Sequence, residues 1–216
     1  MKIEIAEELV ASWMKHILGC QIVQKNWKIS PEWQTQNKER MKEIFETSSR
    51  YFDKQLGCKL FKEYKTVDNI LNQAECDVIG TKVENAKATY YGADVAFHQF
   101  GLNYNGQDET IRKVLNKCIR NAICIYGFLN IEHAEIFFVT PRIGKKMQEA
   151  MLPKIDELNS MFKNELKLDY KFKLISNEEF NNLILNPLLE KSDIIADDND
   201  LFLRSYQLLD LFANKK

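Results

Sequence analysis

Two aspartates stand where the chain otherwise places apolar residues. Asp77 lies in a run spanning 74–80 (AECDVIG) and Asp94 in a run spanning 88–97 (ATYYGADVAF), and Asp is among the residues that strands favour least. The polar segment TKVENAK between the runs reads as a hairpin turn centred near Asn85 and Ala86. About that turn Asp77 and Asp94 come opposite or nearly so, and cross-strand neighbours have Cβ atoms about 5 Å apart. Carboxylates that close repel and raise one another's pKa unless a cation stands between them. A hard divalent ion with oxygen ligands, Mg²⁺ or Mn²⁺, is the economical occupant. The plain alternative is a pair of acids solvated on the open face of a half-buried hairpin.

Further groups sit around this pair. Alternation along a strand places His98 on the face of Gly92, Asp94 and Ala96. The loop GLNYNG that follows offers Asn103, Tyr104 and Asn105 as hydrogen-bond donors, with Gln99 just before it. Tyr90, Tyr91, Phe97, Phe100 and Tyr104 could stack on bases, but aromatics at strand spacing are expected in the core. Trp27 and Trp33, beside Lys25 and Lys28, form a small basic-aromatic segment.

The elements that must position these groups can be read from periodicity. A first helix over 3–18 carries Ile3, Ala6, Val10, Trp13, Met14 and Ile17 as an inward stripe. Glu7 falls at the edge of that stripe, pointing inward or along the sheet edge, and Glu8 toward solvent. A short strand follows over 20–26. Ser30-Pro31 signals the start of a second helix over 31–56, and a short helix or loop leads over 58–72 into the hairpin. Asp108 reads as the cap of a third helix over 109–129, AEIFFVT as a strand covered on both faces, and 144–166 as a fourth helix kinked or split at Pro153. A strand over 170–175 precedes the capping box Ser176 to Glu179, which opens a helix over 177–185 that Pro187 breaks. The acidic stretch 193–200 reads as a linker to a last amphipathic helix over 201–214, whose apolar side over 201–212 either covers the sheet or mediates a homodimer. The order predicts one domain over 1–216, an α/β chain folded as a three-layer α/β/α sandwich around a central mixed sheet.

Composition narrows the function. A chain of 216 residues can bury roughly 70% of its unfolded surface without covalent staples. Five cysteines without a C-x-x-C pair read as reduced thiols, the usage of a cytoplasmic protein. The first 18 residues hold Glu4, Glu7, Glu8 and Lys15, which suits neither a signal peptide nor a membrane span, so no membrane partner is expected. A net charge of −1 argues against a protein coated for non-specific nucleic-acid binding, so such a surface must be a local patch.

An acid within one strand, a second acid in the next with sixteen residues between them, and an inward acid on the first helix resemble the PD-(D/E)xK, restriction-endonuclease-like nucleases. That family's core is a helix, a three-stranded meander, a helix, a strand and further α/β elements, an order matched over roughly 3–175. The resemblance implies a metal-dependent nuclease acting on DNA, with Mg²⁺ or Mn²⁺ held by Asp77, Asp94, Glu7 and the Val95 carbonyl. It departs at Ala96, where the family has its lysine. His98, or Lys117 or Lys113 from the next helix, could stand in. The other reading is a nuclease-like fold without catalysis, serving as a DNA-binding or protein-interaction subunit.

Overall fold

In the computed structural model the described residues are 5–30, 32–35, 37–72, 75–192, 194–195 and 200–213. They form an α/β structure around a five-stranded mixed sheet of order β1-β2-β3-β4-β5. The elements are α1 (Ile5–His16), β1 (Ile22–Lys28), α2 (Lys38–Leu56), α3 (Val67–Asn72), β2 (Glu75–Glu84), β3 (Lys87–Val95), α4 (Gln107–Leu129), β4 (His133–Thr140), α5 (Lys145–Asn164), β5 (Asp169–Ser176), α6 (Asn177–Phe180), a π-helical turn (Asn181–Leu185), α7 (Asn186–Glu190) and α8 (Leu201–Ala213). The first three strands are an antiparallel meander, and β3, β4 and β5 run parallel. Helices α2 to α5 cover one face and α1 with the 180–188 segment covers the other. Both crossover helices, α4 and α5, lie on the same face, as a single crossover handedness requires.

The hairpin turns as the spacing predicts. Asn85 and Ala86 both have positive φ, and Glu84 pairs with Lys87 across a two-residue loop, the geometry that matches strand twist. β4 is buried on both sides, Ile136 and Phe138 against α4 and α5, Phe137 and Val139 against α1. In β2 the alternation shifts by one residue at Asp77: Val78 packs on the α1 side, yet Cys76 packs with Ile79 on the other. The residue facing this shift on β1 is Asn26, which adopts φ 51°.

Several boundaries differ from the expectation. α2 begins at Lys38, not at 31, because Asn37 supplies the cap by accepting from the Arg40 N–H at 3.1 Å; residue 31 lies outside the described residues. α4 begins at Gln107 after Gly106, so Asp108 is inside the first turn and does not cap it. α5 is one helix through Pro153 and is not split. Ser176 makes no capping bond; its hydroxyl instead accepts from Gln148 at 3.3 Å. The chain also stays helical through Pro187, because the π turn before it carries the Asn186 N–H to the Asn181 carbonyl and absorbs the missing donor. Much of the expected acidic linker, and residue 214, fall outside the described residues. α8 docks on α1, where the Ser12 hydroxyl donates to Asp200 and Leu203 is buried. No helix among the described residues is long and apolar enough to cross a membrane.

Candidate functional site

The antiparallel ladder between β2 and β3 runs to Val78↔Ala93, and its next step brings Asp77 to Asp94. There the side chain takes over from the backbone: the Val95 N–H donates to Asp77 Oδ2 at 2.7 Å. Asp94 is fully buried. Its Oδ1 accepts from Lys117 Nζ at 2.7 Å and from Arg120 at 3.5 Å, whereas its Oδ2 has no hydrogen-bond partner among the described residues. Lys117 and Arg120 are three residues apart on α4, so both reach the same strand end. Arg120 also donates to the Glu75 carbonyl at 3.3 Å, tying the helix to the start of β2.

The electrostatics follow from this crowding. Burial pushes the Asp77 carboxyl up to about 7, with the charges of Asp94 and, more weakly, Glu7 adding to it; Lys117 and the Val95 N–H oppose the rise. Burial alone would pull the Lys117 ammonium down, but Asp94 and Asp77 together outweigh it and hold the group charged. Burial raises the Tyr104 phenol, against the nearby Lys117 and with the help of both aspartates, so it remains a proton donor at neutral pH. The Cys76 thiol is pushed well above its ordinary value by burial and then by Asp94, which leaves it no nucleophile.

The structure brings together several of the residues singled out in the sequence. Asp77, Asp94, Lys117 and Tyr104 share one electrostatic neighbourhood, and Glu7 on α1 approaches Asp77 from the sheet's other side. Lys113 lies over the Tyr104 ring at 5.1 Å. Val95 enters through its N–H. Ala96 is buried, its N–H paired with the Val139 carbonyl; the ammonium at the site comes from Lys117.

Others fall elsewhere. His98 does not share a strand face with Asp94, because β3 ends at Val95 and His98 stands in an exposed turn, edge-on to Tyr104 at 5.3 Å. Gln99 is exposed in that turn, and the Asn103 side-chain Oδ1 is used to accept the Gly106 N–H at 2.8 Å. Glu8 is not solvated but pairs with Lys25, while Lys28 pairs with Glu75. Trp27 is buried and packs on Trp33, which packs on Phe128. The basic-aromatic segment is therefore an aromatic cluster whose lysines already have acids. Arg120 went unnoticed in the sequence, although its helical spacing from Lys117 carries the signal. Phe97 and Phe100, expected in the core, are 66% and 91% exposed.

The oxygen-rich, carboxylate donor set and the orphaned Asp94 Oδ2 fit a hard cation. Among the described residues no three His, Cys, Asp or Glu side chains form a ready-made metal cluster, so such an ion would take its remaining ligands from water or substrate. No family model, curated protein or solved structure matches the chain.

Proposed function

We propose that the chain is a metal-dependent nuclease of the restriction-endonuclease-like kind, hydrolysing phosphodiester bonds in DNA. The observation that carries this reading is Asp94: a buried carboxylate with one oxygen on a lysine ammonium and the other without a partner, beside a second carboxylate held near neutrality. The order α1, meander, α4, β4 agrees with the order the resemblance implies. Asp77 and Asp94 would hold Mg²⁺ or Mn²⁺, with water or substrate completing the shell, and such an ion supplies Lewis-acid polarisation of the phosphodiester and of the attacking water. Lys117 takes the place vacant at Ala96 and sets a positive charge where the phosphate's charge grows. The Tyr104 hydroxyl, protonated at neutral pH, is a donor for a phosphate oxygen. A homodimer through the open face of α8 would bring two such sites into one assembly.

The test is cleavage of plasmid and of single-stranded DNA and RNA with Mg²⁺ or Mn²⁺. Asp77→Asn, Asp94→Asn and Lys117→Met should each lose activity by 100-fold or more, on the order of the 3 kcal/mol that one preorganised charge contributes. Activity surviving in both aspartate variants would overturn the assignment.

A second reading, a nuclease-like fold that binds DNA or protein without catalysis, is favoured by one feature: Lys117 and Arg120 already neutralise Asp94 from within the chain. Mn²⁺ titration separates the two, because a degenerate site gives no saturable binding that depends on Asp94.

A further inference from the structure

Two phenylalanines within four residues stand out from the surface immediately after the candidate site. Phe97 is 66% and Phe100 91% exposed, where a loop tip is ordinarily polar and a large apolar ring is ordinarily covered. They are not loose. The Gly101 N–H donates to the His98 carbonyl at 3.0 Å and closes a turn that presents Phe100. Gly101 follows at φ +96°, a conformation that its missing Cβ makes accessible. The next residue, Leu102, is buried, and its N–H donates to the Arg142 carbonyl at 2.8 Å, which ties this loop to the one after β4.

The turn also lies where a ligand must approach. β3 and β4 are parallel, so the loops leaving Val95 and Thr140 emerge at the same end of the sheet. Open α/β sheets take ligands outside the carboxyl ends of their strands. Basic residues stand on the elements adjoining this turn: Lys113 beside Tyr104, and Arg142 and Lys146 on the joined loop and the helix it opens into. Arg142 and Lys146 are exposed. Lys145 faces Glu149 and is not counted with them.

Exposed aromatic faces with cations on the adjoining elements suit a polyanion that carries flat rings. In a duplex those rings are hidden against their neighbours, and only their edges are open. An aromatic side chain can take a base face only from a strand that is unpaired, or from a base already turned out. We propose that Phe97 and Phe100 are a stacking platform for unpaired bases, so that the substrate class is single-stranded nucleic acid, its backbone held by Lys113, Arg142 and Lys146. This rests on the nuclease reading for the site the strand is led into; the platform itself does not.

The experiment is fluorescence anisotropy of the full chain with a labelled oligothymidylate and with a hairpin duplex of equal length, in EDTA so that no cleavage intervenes. The wild type should bind the single strand at least tenfold more tightly than the duplex. Phe97→Ala/Phe100→Ala should weaken single-strand binding by about 5- to 150-fold for each base released, with duplex binding unchanged. Phe100→Trp should restore binding, and its emission should fall as the strand is added. Both positions are exposed, so unchanged circular dichroism and melting are expected and serve as the control. Equal wild-type affinity for both probes, or single-strand binding indifferent to the double substitution, overturns the platform. If the platform is present and no nucleic acid is cleaved, the nuclease reading fails alone; if single strands are cleaved by the wild type and equally well by the double variant, the platform fails alone.

Discussion

Asp77 carries a charge at neutral pH that its surroundings resist, so replacing it by its neutral isostere should stabilise the fold. Burial and the neighbouring Asp94 raise its carboxyl to about 7 in the native state, whereas in the unfolded chain it titrates near the ordinary carboxylate value of about 4. Between these limits the native state holds a proton that the unfolded state has lost. Stability contributed by this group is therefore fully present below about pH 4 and declines as pH rises through 7, by at most about 1.4 kcal/mol per pH unit. Three units set a ceiling of about 4 kcal/mol; because the strain is shared with Asp94 and relieved by Lys117, about half of that, roughly 2 kcal/mol, is expected at pH 8. Asp77→Asn keeps the acceptor for the Val95 N–H and removes the charge. Urea unfolding at pH 5 and pH 8 should show the variant about 2 kcal/mol more stable than wild type at pH 8, a gain of roughly 4–8 °C in Tm, and nearly equal to it at low pH. A variant no more stable than wild type at pH 8, with an unchanged pH slope, would refute the reasoning. On the nuclease reading the same variant loses cleavage, an exchange of stability for function at a strained site.

Other outcomes can be checked alongside it. Lys117→Met leaves buried Asp94 with Arg120 alone, at 3.5 Å, and should cost roughly 2–3 kcal/mol at pH 8, below the 3–5 kcal/mol of a fully sealed pair; denaturant melts should show a smaller loss at pH 5, where Asp77 is protonated. Arg112 is entirely buried and donates to Glu63, to Glu109 and to the Leu60 carbonyl, so Arg112→Met should cost about 3 kcal/mol. Its bond also holds the Glu109 carboxyl down to about 2, which stabilises the wild type above the ordinary Glu value and is lost as pH falls toward 2; the variant's acid-unfolding curve should lack that component. Asn159 donates to the Phe172 carbonyl and accepts its N–H, covering one step of the free edge of β5, so Asn159→Ala should cost about 1–2 kcal/mol and add concentration-dependent light scattering.

Much of the architecture was legible because it is local. Alternation and turn chemistry placed the hairpin and its turn at Asn85 and Ala86, and with them the register that sets Asp77 against Asp94. The continuous apolar run of β4 announced a strand covered on both faces, and the apolar stripe of α1 put Glu7 at the edge of the sheet. What was not legible depended on distant partners. β3 stops at Val95 and the chain turns, pinned by a bond from Leu102 to Arg142 forty residues away, so the alternation that would have aligned His98 with Asp94 and buried Phe97 and Phe100 never continues. α4 offers cations along its length, and only its packing against β3 selects Lys117 and Arg120 for Asp94. Periodicity records which side of an element is apolar. Where that element ends, and which charged groups its tilt brings to a shared carboxylate, follow from how the layers close on one another.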